Sequence, residues 1–136
     1  MLLFPGEEAL YDNTDFVLTP VNGGTLLTCN GRCDRAMRPL SCRIFPLFPH
    51  VDENGRVKAV YDPRGWRLCP LLMEAAHVSL NRDFVRAVRK AGRLLMRDPA
   101  QAVFLKAQSE EIDCLSRLTP LADVRSPIKR RKIQED

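Results

Sequence analysis

The stretch over residues 29–46, C-N-G-R-C-D-R-A-M-R-P-L-S-C-R-I-F-P, limits what this chain can fold into more than any other. Cys29, Cys33 and Cys42 fall within fourteen residues. Glycine, prolines and arginines separate them, so no regular helix can run through the whole stretch. A fourth cysteine, Cys69, follows in L-C-P-L-L. Gly31 lets the backbone turn so that the sulfurs of Cys29 and Cys33 face one point. Four thiolates suit tetrahedral zinc or an iron–sulfur cluster. Cys29, Cys33, Cys42 and Cys69 are therefore the candidate metal ligands. The competing readings are four buried, reduced thiols acting as small hydrophobes, or a disulfide pair. The spacing does not separate zinc from iron.

Arg32, Arg35, Arg38 and Arg43 lie beside these cysteines. Positive charge near a thiol favours the thiolate, the form that binds metal. It also offsets the negative charge of a four-thiolate site. The alternative is that these arginines pair with Asp34, Asp52 or Asp62 and shape the loop. Asp62-Pro63-Arg64 reads as one such structural latch. Cys114 falls inside an expected helix, far from the cluster, and reads as a core residue. His50 and His77 each stand alone in their region, and His77, nearer Cys69, is the better candidate for an added ligand. The chain contains no nucleotide-binding loop, G-x-S-x-G elbow or H-E-x-x-H helix. Four clustered cysteines also argue against a single nucleophilic one, so no residue is assigned a catalytic role.

A chain of 136 residues is most simply one domain. We place it at residues 1–120, with hairpins and the cysteine loop over 1–72 and helices over 73–120. Residues 121–136 read as a polar, partly disordered tail. Ten prolines and seven glycines, mostly before Cys69, make the front half loop-rich. Small loop-rich units often need a disulfide or metal staple. The opening M-L-L-F-P has no basic segment, and its apolar run is too short for a secretion signal. No stretch approaches the ~20 apolar residues of a membrane span. The expectation is a cytoplasmic protein with no membrane partner, where disulfides are uncommon and clustered cysteines lean towards metal. A net charge of +4 permits an anionic partner without requiring one. The basic run Lys129-Arg130-Arg131-Lys132 reads as a frayed tail. Aromatic residues that could stack on bases are few, so the expected partners are a metal ion and a protein rather than nucleic acid.

The expected fold class is α+β. Pro5-Gly6 followed by Glu7 and Glu8 suggests a short helix start. Asp15–Thr19 and Thr25–Thr28 are β-prone around the turn Asn22-Gly23-Gly24, a hairpin that would deliver Cys29 at the end of its second strand. Residues 44–51 are apolar but carry Pro46 and Pro49, which exclude a central strand. Asp52-Glu53-Asn54-Gly55 is a turn, and residues 56–61 return as a strand. Ser79 or Asn81 caps a helix running to about Arg97, with Phe84, Val88, Ala91 and Leu95 on one face. Asp98-Pro99 starts a second helix carrying Val103, Phe104, Ala107, Ile112 and Leu115. The two helices should pack as an antiparallel pair against the β-containing front.

R-P-L-S-C-R-I-F-P-L, residues 38–47, carries a resemblance. Arg38-Pro39, Cys42-Arg43 and Phe45-Pro46 resemble the recurring element of the zinc- or iron-chelating cysteine-cluster proteins (YkgJ-like), which include flagellin lysine N-methylases. The likeness extends through L-L-T-C-N-G-R-C-D-R and D-P-R…C-P-L, covering about residues 3–72. It implies metal chelation by Cys29, Cys33, Cys42 and Cys69. Family members usually carry a further cysteine cluster upstream of the segment this chain begins with. The four cysteines are thus either a whole site or part of a larger one. The leading functional expectation is a metal-binding protein holding zinc or iron, a 4Fe-4S cluster included. One alternative is part of an iron–sulfur-dependent protein lysine methylase. Another is a zinc-stapled module for nucleic acid or protein.

Overall fold

The computed structural model of the chain describes residues 1–29, 34–65, 79–119 and 127. A 3-10 turn at Glu7–Tyr11 precedes strands β1 (Val17–Val21) and β2 (Gly24–Thr28). A second 3-10 turn (Arg35–Met37), the short helix α1 (Leu40–Ile44) and strands β3 (Leu47–Val51) and β4 (Val57–Tyr61) follow. After a third 3-10 turn (Pro63–Gly65) come the long helices α2 (Arg82–Leu95) and α3 (Pro99–Ser116). The strands form two separate antiparallel hairpins. The architecture is α+β, as the sequence indicates.

The first hairpin closes where expected, with Val21 opposite Gly24. Gly23 takes a φ of 91°, a left-handed conformation that costs a glycine nothing. The chain start runs beside this hairpin. Leu3 N–H donates to the Thr25 carbonyl at 2.9 Å and Leu27 N–H to the Met1 carbonyl at 2.8 Å. Leu3, Tyr11 and Leu27 are buried together there, with Phe16 and Leu18 packed around them.

The main core is built on the second hairpin. Its turn is held by one Asp52 carboxylate oxygen, which accepts from Asn54 N–H and Arg56 N–H, each at 2.9 Å. Those bonds, the one from Arg56 foremost, hold the Asp52 carboxyl below its ordinary pKa. In the register Leu47↔Tyr61 to Val51↔Val57, opposed residues share a face. Leu47, Pro49, Val51, Val57, Ala59 and Tyr61 therefore form one face, and Phe48, His50, Val60 and the exposed Lys58 the other. Helix α2 lies on the first, with Gly92 against Pro49 and Val57. Helix α3 and Phe4 lie on the second, where the Phe4 ring is 5.8 Å from Phe48 and 5.1 Å from Phe104. Cover on both faces explains why all five residues of β3 are buried. Pro49 is tolerated because each strand of a two-stranded sheet is an edge.

Asn81 caps α2, its side-chain oxygen accepting from Asp83 N–H at 2.8 Å and Phe84 N–H at 3.3 Å. The buried face is Val85, Val88 and Gly92, flanked by the half-buried Phe84, Ala91 and Leu95. Asp98 caps α3 through Ala100 N–H, with Pro99 in the first turn. The inner face of α3 differs from expectation. It is Phe104, Leu105, Gln108, Ser109, Ile112 and Ser116, whereas Val103 is 69% exposed and Ala107 is exposed. Gln108 and Ser109 sit inside because they satisfy charge and backbone nearby, as described below; the buried Ser116 hydroxyl has no hydrogen-bond partner among the described residues. Cys114, read from the sequence as core, is exposed. The two long helices touch each other little; each packs mainly on the hairpin rather than on the other. Pro127, in the stretch read as tail, is buried, and its carbonyl accepts from Leu80 N–H at 3.2 Å.

Candidate functional site

Two of the four candidate ligands lie in described parts of the chain. Cys29 directly follows β2 and is exposed; Cys42 lies within α1 and is half-buried. Cys33 and Cys69 lie outside the described residues, as do Arg32, His77 and the basic run 129–132. Among the described residues, no three His, Cys, Asp or Glu side chains gather closely enough to hold an ion.

Both cysteine-bearing elements are fastened to the same piece of chain. Residues 1–3 pair with β2 through the bonds from Leu3 and Leu27. The Leu2 carbonyl, on the same segment, accepts a bond from the Ser41 hydroxyl, next to Cys42. Glu7 adds a second tie: one carboxylate oxygen accepts from Phe4 N–H at 2.7 Å, the other from Leu40 N–H at 3.0 Å. That bond satisfies a free N–H at the start of α1 with a negative charge, which favours the helix. The Tyr11 hydroxyl donates to the Met37 carbonyl at 2.8 Å and anchors the loop between the two cysteines.

The arginines of the loop do structural work of a kind the sequence did not specify. Arg43 donates from Nε to the Arg38 carbonyl at 2.9 Å and from Nη2 to the Ala36 carbonyl at 3.1 Å. One guanidinium thus clamps the chain across residues 36–43. The acids considered as its partners are engaged elsewhere. Asp34 caps the 3-10 turn through Ala36 N–H at 3.2 Å, and Asp52 holds its own turn. Asp62 accepts from the Arg64 guanidinium twice, at 2.9 Å from Nε and 2.8 Å from Nη2, and from Arg64 N–H at 3.0 Å. The latch read at residues 62–64 is therefore real. It is also bound to the core: Arg64 Nη1 donates to Gln108 Oε1 on α3, and its guanidinium stands 5.1 Å from the centre of the Phe48 ring.

An apolar cavity of about 240 Å³ lies between the chain start, α1 and the hairpin, lined by Leu2, Leu26, Phe45, Phe48 and Phe104 with Arg64 at its edge. His50 is buried, with Nε2 3.0 Å from Asp113 Oδ1 on α3. Sequence reasoning placed His50 alone; a separation of 63 positions along the chain left no local signal of the pair. No helix among the described residues is long and apolar enough to cross a membrane. No family model, curated protein or solved structure matches this chain.

Proposed function

We propose that this chain is a metal-binding cysteine-cluster protein in which Cys29, Cys33, Cys42 and Cys69 hold zinc or iron, the latter as a cluster if sulfide is present. The observation that carries the reading is the shared tether: β2, which delivers Cys29, and α1, which holds Cys42, are both hydrogen-bonded to residues 1–3. An exposed thiol and a half-buried one, on elements secured this way, suit a chelating site whose remaining ligands come from the flanking chain. The Arg43 clamp supports it as well, because it fixes the path of the loop and keeps a cation one residue from Cys42. These residues also contain the Arg38-Pro39, Cys42-Arg43 and Phe45-Pro46 pairs on which the likeness to the YkgJ-like proteins rests. Bound metal supplies folding free energy to a loop with little apolar cover.

The test is elemental analysis with a visible spectrum, on protein purified anaerobically without a metal-affinity step. About one zinc per chain, or iron with acid-labile sulfide, is the expected result. A Cys29→Ser, Cys42→Ser double variant should lose it. Chelation should lower the melting temperature and change the circular dichroism. Metal-free native protein, or a double variant that retains the full metal content, overturns the proposal.

A further inference from the structure

One helical face goes unused by the core and by the cysteine loop. Residues 82–97 hold six cations, Arg82, Arg86, Arg89, Lys90, Arg93 and Arg97, against one acid, Asp83; the whole chain has an excess of only four. All six are exposed. At 3.6 residues per turn they fall within an arc about 100° wide, and no other residue of 82–97 falls inside it. Every position on that face is Arg or Lys, over a length of about 22 Å. Like charges three and four residues apart destabilise a helix, and among the described residues none of the six is in an ion pair. The same periodicity that finds the apolar face would have found this one, applied to charge instead of hydropathy.

We infer that the cationic arc of α2 is a docking surface for the phosphate backbone of a nucleic-acid duplex. The arc contains no apolar residue, whereas protein interfaces need buried apolar or aromatic anchors at their centre. The apolar face of α2 is already committed. Val85 and Val88 are buried in the core, and Gly92 lies against Pro49 and Val57. The helix cannot turn that face into a bilayer as interfacial helices do. What it offers is a straight row of mostly guanidinium groups, which pair in forked fashion with phosphate. Their repeat of about 5–6 Å per helical turn runs beside phosphates placed every ~3.4 Å of axis along each strand. Such a contact reads charge and shape, not base sequence. It needs no stacking aromatics, whose scarcity speaks against single-strand binding only. The inference does not depend on the metal reading.

The experiment is fluorescence anisotropy of the whole protein with a labelled, mixed-sequence duplex of roughly two turns, from low salt upward. The wild type should bind, with log K falling against log salt at a slope near −5 if six phosphates are engaged. The triple variant R86E/R89E/R93E should weaken binding at least ~10-fold and reduce the slope by about 3. R86Q/R89Q/R93Q should fall between the two with an unchanged melting temperature, separating charge from folding. A matched control, K58E/K106E/R117E, removes equal charge elsewhere and should stay within about threefold of the wild type. The inference is overturned by absence of duplex binding at low salt, or by equal effects of the α2 variants and the control. It is also overturned if only neutralising residues 129–132 abolishes binding. Binding to phosphatidylserine vesicles or to polyglutamate in place of duplex overturns it too.

Discussion

A methyl group at position 92 would stand 2.5 Å from Pro49 Cβ and 2.7 Å from Val57 Cγ1. Neither neighbour can yield cheaply, since one belongs to a proline ring on β3 and the other to a β-branched side chain on β4. Alanine is the better helix former by ~1 kcal/mol, yet overpacking of this kind costs ~1–3 kcal/mol. We expect Gly92→Ala to lower stability in urea denaturation, against the helix propensity scale. An unchanged or raised midpoint would mean that α2 lies farther from the hairpin than described. The residue also shows why the buried face was only half legible. Phe84, Val88, Ala91 and Leu95 announce themselves by hydropathy. Gly92 does not, although it marks the closest approach of helix to sheet, so the true face sits one position away from the one read.

Between elements, hydrogen bonds decide what hydropathy could not. The Ser109 hydroxyl accepts from Val51 N–H at 2.9 Å and donates to the Leu105 carbonyl at 2.6 Å. A serine in the middle of α3 thereby satisfies a donor at the end of β3. Gln108 does the same for Arg64. Both face inward because strand ends and a latched guanidinium require polar partners. Val103 faces water because none of the described elements lies over it. A pattern search that counts only apolar residues must choose Val103 and Ala107 and miss Gln108 and Ser109. The hairpin turns and helix caps were legible, since Asn22-Gly23, Asn81 and Asp98-Pro99 act locally. Ser109→Ala should cost ~1–3 kcal/mol by leaving the buried Val51 N–H unpaired. Hydrogen exchange at Val51 should accelerate relative to Val57, and equal protection of the two would refute the assigned role.

At the scale of the whole molecule, the described residues form two cores joined by adjacent residues. Leu3 belongs to the small cluster of the first hairpin, and Phe4 to the main core beside Phe48 and Phe104. Gln101 Nε2 of α3 donates to the Pro5 carbonyl at 2.6 Å, extending the joint. Phe4→Ala should cost ~3–5 kcal/mol. Because the joint carries both cores, fluorescence and circular dichroism should still report one transition at the lower midpoint. Two separated transitions would show the cores to be independent. The cysteine set was read from clustering and from the family resemblance, and half of it falls in described parts of the chain. What the sequence could not reveal is the tether at residues 1–3, whose contacts join positions 26 and 39 residues apart.

The two-sided cover of the second hairpin has a consequence in time. Strand β4 ends at Tyr61, but the helices that close its faces are finished only at Ser116, 55 residues later. At cellular synthesis rates of ~5–20 residues per second, that is roughly 3 to 11 seconds. Through that interval a pair of strands with apolar side chains above and below stands with open edges and without either long helix over it. Until α3 is complete, that pair of strands is a surface for a chaperone at the ribosome exit to shield.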